Sequence, residues 1–260
     1  LARMRTWKLK VGGGDPMEEG KRVATLLRGC EALGLRLRLD ANQAWDEQAA
    51  KAFCGALRAE WTTTTTTDAD EDKDAAPSAK RSRVAETRSW PPMPLEFCEE
   101  PLKSDQLATL PRLYESEGLR YALDESVTSV AAEMLSDGGG GEKLEELRGR
   151  LRAVGCAALV LKPTLLGGAE VTAALAAEAA DAGIPIVLTS AFESGVSHAH
   201  IAILASVLGG PSVAHGLSTF ERLTHDVLMP SFASCVVGGD LVDVARAEAA
   251  LNATADLMAK

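Results

Sequence analysis

The sequence predicts an α/β protein built as a (β/α) barrel of the TIM type. Short apolar runs of strand length alternate with longer segments of helical periodicity, a pattern typical of βαβ units with parallel strand pairing. The first five of these runs each end in or beside a lysine or a carboxylate, and active sites form at the carboxyl ends of barrel strands. The length of 260 residues also suits a single barrel of about 250 residues.

The pattern predicts seven strands with helices between most of them. The strands are predicted at 6–11, 35–40, 95–99, 121–124, 157–162, 185–189 and 212–215. The helices are predicted at 16–33, 46–59, 104–117, 128–136, 168–182 and 195–208. Asp15 and Pro16 open the first helix and Ser104 opens the third, and these residue types are favoured at helix starts.

Two stretches interrupt a barrel domain predicted to span 1–225. Residues 61–92 contain six consecutive threonines followed by acidic and basic runs, which predicts a disordered surface insertion. Residues 137–152 predict a glycine-rich turn and a short charged helix. The tail 226–260 is helix-prone in its second half, and we expect it to pack against the barrel. Gly12–Gly14, after the first strand, is interpreted as a flexible βα turn.

Composition argues against several classes of partner. The net charge of −10 and the 4% aromatic content give no reason to expect nucleic acid or an anionic membrane surface. No apolar run reaches the roughly 18 residues of a membrane span. The five cysteines form no C-x-x-C pair, which favours structural thiols in a reducing compartment. That compartment would be the cytoplasm, or a plastid in a photosynthetic eukaryote.

The residues that end the first five predicted strands recur with the period of a βα unit. Lys10 and Asp40 are 30 residues apart, and Glu99 and Asp124 are 25 apart. The two longer separations, from Asp40 to Glu99 and from Asp124 to Lys162, contain the interrupting stretches. We therefore expect these lysines and carboxylates to meet at one mouth of the barrel.

Three carboxylates in one cleft repel one another, so a cation is expected to neutralise them. Oxygen ligands of this kind suit Mg²⁺, with Mn²⁺ as an alternative. Lysines on opposite sides of such an ion would have lowered pKa values and could act as general bases near neutral pH. A metal with a lysine can remove a proton next to a carboxylate, which predicts a small-molecule carboxylate substrate.

These residues resemble the enolase superfamily, in its muconate-lactonizing subgroup. The resemblance is carried by Lys8-x-Lys10, Asp40-Ala-Asn-Gln, Glu99-Glu-Pro, Asp124-Glu-Ser and Lys162-Pro. It covers about 1–60 and 93–225, and segments 159–168 and 188–202 look most like the o-succinylbenzoate synthase family. That resemblance implies a Mg²⁺-dependent lyase of menaquinone or phylloquinone biosynthesis. Such an enzyme dehydrates a cyclohexadiene carboxylate through a metal-stabilised enediolate.

The resemblance also implies roles for individual residues. Lys10 would abstract the α-proton, Lys8 would help to keep Lys10 neutral, and Lys162 would stabilise the enediolate from the other face. The implied metal ligands are Asp40, Glu99 and Asp124.

Further residues would contact the metal ligands on the side away from the metal, or would line the substrate pocket. Asn42 and Gln43 would lie behind the metal ligands. The residues implied near the substrate's remote carboxylate are Ser190, Phe192, Glu193, Ser194 and Gly195. An ordinary βα turn is the alternative interpretation of 190–195. His198 and His200 point to different helix faces, so they are assigned packing or surface roles.

The chain also departs from the family pattern. Family members place a capping domain before the barrel, and that domain and the first barrel strand with its helix are missing here. We therefore expect an incomplete barrel, completed by an upstream segment or a partner chain, or a truncated gene product. Two alternative functions remain open: an N-acylamino acid racemase or dipeptide epimerase of the same superfamily, and an inactive fragment or module of a larger fused polypeptide.

Overall fold

Strands and helices alternate along the chain as the sequence pattern predicts. In the computed structural model, the described residues are 5–65, 92–137, 141–210, 212–219, 226–228, 231, 235 and 243–258. Most of the predicted insertion, residues 66–91, lies outside this set. Within the described residues, no helix is both long enough and apolar enough to cross a lipid bilayer.

Six of the predicted strands form, within one or two residues of their expected bounds. They are β1 (Thr6–Lys10), β2 (Arg36–Asp40), β3 (Leu95–Glu99), β4 (Tyr121–Leu123), β5 (Cys156–Leu161) and β6 (Ile186–Leu188).

The prediction of a strand at 212–215 is wrong. Residues 212–215 form no strand, and Gly216, the next residue, pairs with the end of β6 through an isolated bridge to Thr189. The main-chain N–H of Leu188 donates to the imidazole Nδ1 of His215 at 3.1 Å. In a regular parallel sheet this N–H would donate to a main-chain carbonyl of the neighbouring strand. Because the His215 side chain accepts it instead, the strand pairing does not extend beyond the bridge.

The helices follow the strands, and several of their bounds differ from the prediction. They are α1 (Pro16–Ala32), α2 (Glu47–Thr65), α3 (Leu110–Glu117), α4 (Thr128–Asp137), α5 (Glu142–Arg152), α6 (Pro163–Leu166), α7 (Ala169–Asp181), α8 (Gly195–Leu204) and α9 (Val244–Met258). Helix α2 continues six residues beyond its predicted end, so the prediction of a disordered insertion is wrong for residues 61–65. The predicted helix 104–117 divides into a 3₁₀ segment, Ser104–Thr109, and α3. Pro111 then lies in the first turn of α3, where its missing N–H costs no hydrogen bond.

The chain divides into two compact units. The first unit is Trp7–Tyr121, and the second comprises Leu1–Thr6 and Ala122–Lys260. In the first unit, β1, β2 and β3 neighbour one another in chain order. Strands β2 and β3 pair in parallel, and Asp40 stands opposite Glu99 at their carboxyl ends.

The core of the first unit lies between these strands and the helices that follow them. Helices α1 and α2 pack closely because Gly20 has no side chain: an added Cβ would lie 2.6 Å from the carbonyl oxygen of Phe53 and 2.9 Å from the amide nitrogen of Leu57. Phe53 is fully buried, and its ring centroid lies 4.6 Å from that of Trp45.

The second unit has a more completely buried sheet. Strands β4, β5 and β6 neighbour one another in chain order, and all six residues of β5 are buried. Continuous apolar runs of this kind are typical of parallel strands that are covered on both faces. Helix α9 contacts α8 through a side that buries Ala247 and Ala250.

All five cysteines are buried thiols that form no disulfide, which agrees with a structural role. They are Cys30, Cys54, Cys98, Cys156 and Cys235. Burial raises the pKa of Cys54 and of Cys98 above the ordinary thiol value, so both stay protonated and unreactive at neutral pH.

The close contact of α1 with α2 predicts that Gly20→Ala lowers the free energy of unfolding by about 1–3 kcal/mol, since the new methyl group meets backbone atoms that cannot rotate away. Gly29→Ala is the matched control in the same helix, because an added Cβ there meets nothing within 4 Å. It should raise stability by about 0.5–1 kcal/mol. Urea denaturation measures both, and equal stability of the two variants would contradict this packing.

Candidate active site

A cluster of lysines and carboxylates lies at the carboxyl ends of β1, β2 and β3 in the first unit. Lys8 and Lys10 extend from the same side of β1, because side chains alternate along a strand. The ammonium of Lys8 lies 2.5 Å from a carboxylate oxygen of Glu99 and 2.8 Å from one of Asp40. The ammonium of Lys10 lies 2.8 Å from the same Asp40 oxygen, and it also donates to the side-chain oxygen of Asn42.

The carboxylates of this cluster are buried and the lysines are not. Asp40 and Glu99 are 1% and 2% exposed, whereas the side chains of Lys8 and Lys10 are 38% and 66% exposed. Solvent can therefore reach the ammonium of Lys10 but hardly the carboxylates. A ligand approaching from solvent would meet Lys10 first.

The two carboxylates raise the pKa of Lys8. Partial loss of water around the Lys8 ammonium lowers its pKa, but the negative charges of Glu99 and Asp40 outweigh that effect and raise the pKa above the ordinary lysine value. For Asp40, burial raises the pKa, and the charge of Lys8 with the hydrogen bonds from both lysines outweighs it and lowers the pKa. Lys8 therefore remains a cation at neutral pH, and both carboxylates share its positive charge.

The loops after β2 and β3 are bound to each other and hold these carboxylates in place. Asn42, Gln43 and Glu100 have left-handed backbones, with φ values of 47°, 60° and 38°. Gln43 donates its main-chain N–H to the Glu100 carbonyl at 2.8 Å and its amide to the Glu100 carboxylate at 3.0 Å. The N–H of Asn42 donates to Asp40 Oδ1 at 3.0 Å. Clustered backbone strain of this kind is typical of functional sites.

A second pair of predicted residues meets in the second unit. The ammonium of Lys162, directly after β5, lies 2.6 Å from a carboxylate oxygen of Asp124 and 4.0 Å from one of Glu125. Asp124 is 4% exposed and the Lys162 side chain 20%. They line a cavity of about 50 Å³ together with Leu166, which is room for only a water or two.

The predicted pocket residues form a turn between β6 and α8. The hydroxyl of buried Ser190 donates to the Gly216 carbonyl at 3.1 Å, and the carboxylate of Glu193 accepts the main-chain N–H of Ala191 at 2.5 Å. Phe192 has a φ of 66° and is exposed.

Helix α8 begins next to this turn. Ser194 occupies the N-cap position with an extended backbone, but its side chain makes no capping hydrogen bond. The N–H of Gly195 instead donates to a carboxylate oxygen of Asp226 at 2.7 Å. An added Cβ at Gly195 would lie 2.0 Å from that side chain, so this position requires glycine. The helix N-terminus is thus already capped by a residue of the same unit.

Sequence reasoning missed Thr219, which connects Ser190 to a buried histidine. The hydroxyls of Ser190 and Thr219 are 2.6 Å apart, and Thr219 Oγ1 lies 3.0 Å from Nε2 of His198. His198 is fully buried, which agrees with the packing role expected from its spacing. A lone threonine in a loop carries no spacing signal that could have identified this contact.

The donor chemistry at the strand ends suits a hard divalent cation. Asp40 and Glu99 present buried oxygens at one end of the sheet, and carboxylate oxygens are the ligands Mg²⁺ prefers. Among the residues that the structure describes, however, no three His, Cys, Asp or Glu side chains lie close enough together to hold a metal ion. The ammonium groups of Lys8, Lys10 and Lys162 instead contact the predicted ligands.

The chain is similar in sequence to several curated proteins that are all named o-succinylbenzoate synthase. The chain is 30% identical over 224 residues to the o-succinylbenzoate synthase of Yersinia pseudotuberculosis serotype O:1b, covering 86% of this chain and 53% of that protein. The o-succinylbenzoate synthase of Yersinia pestis matches to the same extent. The chain thus spans about half the length of these curated relatives. It matches no protein-family model.

Solved structures share the fold. The muconate lactonizing enzyme from Pseudomonas putida superposes with a TM-score of 0.60 at 20% identity, over 87% of this chain and 50% of that one. MenC from Desulfotalea psychrophila LSv54 gives a TM-score of 0.57 at 22% identity, over 85% and 49%. The predicted fold, an incomplete α/β barrel of the TIM type, is confirmed.

The neutralising role of Lys8 predicts that Lys8→Met lowers the free energy of unfolding at pH 7 in EDTA by about 1–3 kcal/mol. This is less than for a fully buried pair because Lys8 is partly solvated. The loss should shrink as the pH falls below about 4, where protonated carboxylates need no counter-charge.

The direction of this pH dependence follows from the lowered pKa of Asp40. Its ion pairs stabilise the fold above the ordinary carboxyl pKa, and that stabilisation disappears as the pH falls through the lowered value. Lys21→Met is the control, because Lys21 pairs with an exposed Glu18. Urea unfolding at pH 7 and pH 3.5 measures both, and a Lys8 variant as stable as the control at pH 7 would refute the role.

Proposed function

We propose that the chain is a member of the enolase superfamily and carries the acid–base residues of a divalent-metal-dependent lyase of the o-succinylbenzoate synthase type. The observation that supports this most is the arrangement of Lys8, Lys10, Asp40 and Glu99 at three adjacent strand ends. The similarity to enzymes named o-succinylbenzoate synthase selects the reaction.

We propose that Asp40, Glu99 and Asp124 are the ligands of one Mg²⁺ or Mn²⁺ ion. Asp40 and Glu99 end their strands and Asp124 directly follows β4. All three are nearly inaccessible to solvent, which is the environment in which carboxylates require a cation. A bound divalent ion would supply positive charge to the substrate carboxylate when its α-proton leaves. Asn42 and Gln43 would keep the loop that carries Asp40 in place.

Lys10 is the proposed general base. Its side chain is more exposed than that of Lys8, the other lysine of the strand-end cluster, so a substrate can approach it. The amine accepts the α-proton, the electron pair of the broken C–H bond forms a new C=C bond, and the C–O bond to the leaving hydroxyl breaks. Lys10 then gives the proton to the hydroxyl, and water leaves.

Two further lysines have supporting roles in this proposal. Lys8 stays cationic between Asp40 and Glu99 and so disfavours a second positive charge on neighbouring Lys10. Lys162, held by Asp124, would stabilise negative charge on the other face of the substrate. The turn with Ser190 and Phe192–Gly195 is proposed to face the substrate's remote carboxylate.

The proposal predicts Mg²⁺-dependent dehydration of the cyclohexadiene carboxylate substrate by this protein. Lys10→Ala and Lys162→Ala should each lower kcat by a factor on the order of 10²–10⁴, the usual contribution of a positioned acid or base. Lys51→Ala serves as the control, since Lys51 pairs with Glu47 on the surface of α2. Product formation followed by ultraviolet absorbance gives the rates.

Other outcomes distinguish the alternatives. Dehydration that survives both lysine substitutions would refute the mechanism. Exchange of the α-proton with solvent deuterium without loss of water would instead support a racemase or epimerase. Absence of Mg²⁺ binding together with a loss of near-ultraviolet circular dichroism would identify an inactive fragment.

A further inference from the structure

Gly12, Gly13 and Gly14 begin two residues after Lys10, and the main-chain N–H groups of all three donate to the side chain of Glu19. The main-chain N–H of Gly12 donates to one carboxylate oxygen of Glu19 at 2.9 Å. Those of Gly13 and Gly14 donate to the other oxygen at 3.2 and 3.1 Å. The sequence favours a flexible turn here, but the structure shows a loop whose amide groups converge on one anion.

Such a row of N–H groups is an anion-binding concavity of the kind that holds phosphate in other proteins. Here the chain fills it with its own carboxylate. Glu19 lies in the first turns of α1, where a negative charge also interacts favourably with the helix dipole, and it is 9% exposed. Its own N–H donates to the Asp15 carbonyl at 2.9 Å, which fixes its backbone as part of the helix.

The loop that Glu19 holds lies against the loop that contacts Lys10. Gly12 has a φ of 90°, and an added Cβ would lie 2.6 Å from the Cβ of Ala44 and 3.2 Å from the carbonyl oxygen of Ala41. Between those two residues stands Asn42, whose side chain accepts a hydrogen bond from Lys10. A displacement of the glycine loop would therefore move Lys10 in two ways. It would shift the end of β1, which carries Lys10, and it would shift Asn42, to which Lys10 donates a hydrogen bond.

We propose that Glu19 is a positioning residue for Lys10: its carboxylate holds the glycine loop in the conformation that aims the lysine. This inference rests on the proposed function for the role of Lys10 as a base. The contact of Glu19 with the three amide groups does not depend on that function. The two can therefore be tested separately.

Amide hydrogen exchange tests the loop without requiring activity. In Glu19→Gln one carboxylate oxygen becomes an amide that cannot accept, so Gly12–Gly14 should exchange at least several times faster than in the unsubstituted protein. Glu18→Gln is the matched control, because Glu18 is the adjacent residue of α1 and pairs only with exposed Lys21 among the ion pairs described. Unchanged exchange at the three glycines in Glu19→Gln would overturn the inference.

Steady-state kinetics tests the effect on Lys10. Glu19→Gln should lower kcat on the order of tenfold to a hundredfold, since displacement of a catalytic group by about 1 Å has an effect of this size. KM should change little, because the buried carboxylate of Glu19 is bound to the glycine loop and has no proposed role in binding substrate. Glu18→Gln should keep the activity of the unsubstituted protein.

Chemical rescue separates positioning from a general structural role. Glu19→Ala leaves the three amide groups without their anion, and added sodium formate should restore part of kcat, whereas sodium chloride at the same ionic strength should not. An active protein with an unchanged kcat in Glu19→Gln would overturn the inference. If the unsubstituted protein shows no turnover, the proposed function fails, and amide exchange alone then decides whether Glu19 holds the loop.

Discussion

The ion pairs of Lys8 with Asp40 and Glu99 are the contacts on which the rest of the first unit's strand-end cluster depends. Two carboxylates that are almost inaccessible to solvent stand opposite each other at the ends of β2 and β3. Without a cation at least one of them would take up a proton. Lys8 supplies that cation from the neighbouring strand, and the parallel register brings all three groups to one end of the sheet.

Backbone N–H groups also donate hydrogen bonds to carboxylates in and next to this cluster. Asp40 accepts the N–H of Asn42, and Glu19 accepts three N–H groups from the glycine loop after β1. Both contacts fix a loop directly at a strand end. Hydrogen bonds therefore hold the loops where the proposed chemistry requires accurate positions, while the side chain of Lys10 stays exposed. A site built on fixed loops with one accessible base suits proton abstraction.

The sequence predicted the features that local patterns encode. Six strands and the residues that end them follow from apolar runs with a polar residue at the close, and Asp40 and Glu99 meet because their strands pair in parallel. Contacts between distant residues left no local signal. His215 reaches the N–H of Leu188 and removes the seventh strand. Glu19 accepts hydrogen bonds from the main-chain N–H groups of Gly12–Gly14 and so holds a loop that the sequence predicts to be flexible.

Helix α2 shows how side-chain hydrogen bonds can outweigh propensity. Threonine is a poor helix former, which favoured ending the helix before the threonine run. The hydroxyls of Thr62 and Thr63 donate to carbonyl groups one turn back, and Trp61 is buried, so the helix continues.

The most direct test of the proposed metal site is Mn²⁺ binding followed by electron paramagnetic resonance. The account predicts one tightly bound ion per chain, lost in Asp40→Asn, Glu99→Gln and Asp124→Asn and retained in Glu18→Gln. No binding by the unsubstituted protein, or undiminished binding by Asp124→Asn, would contradict it.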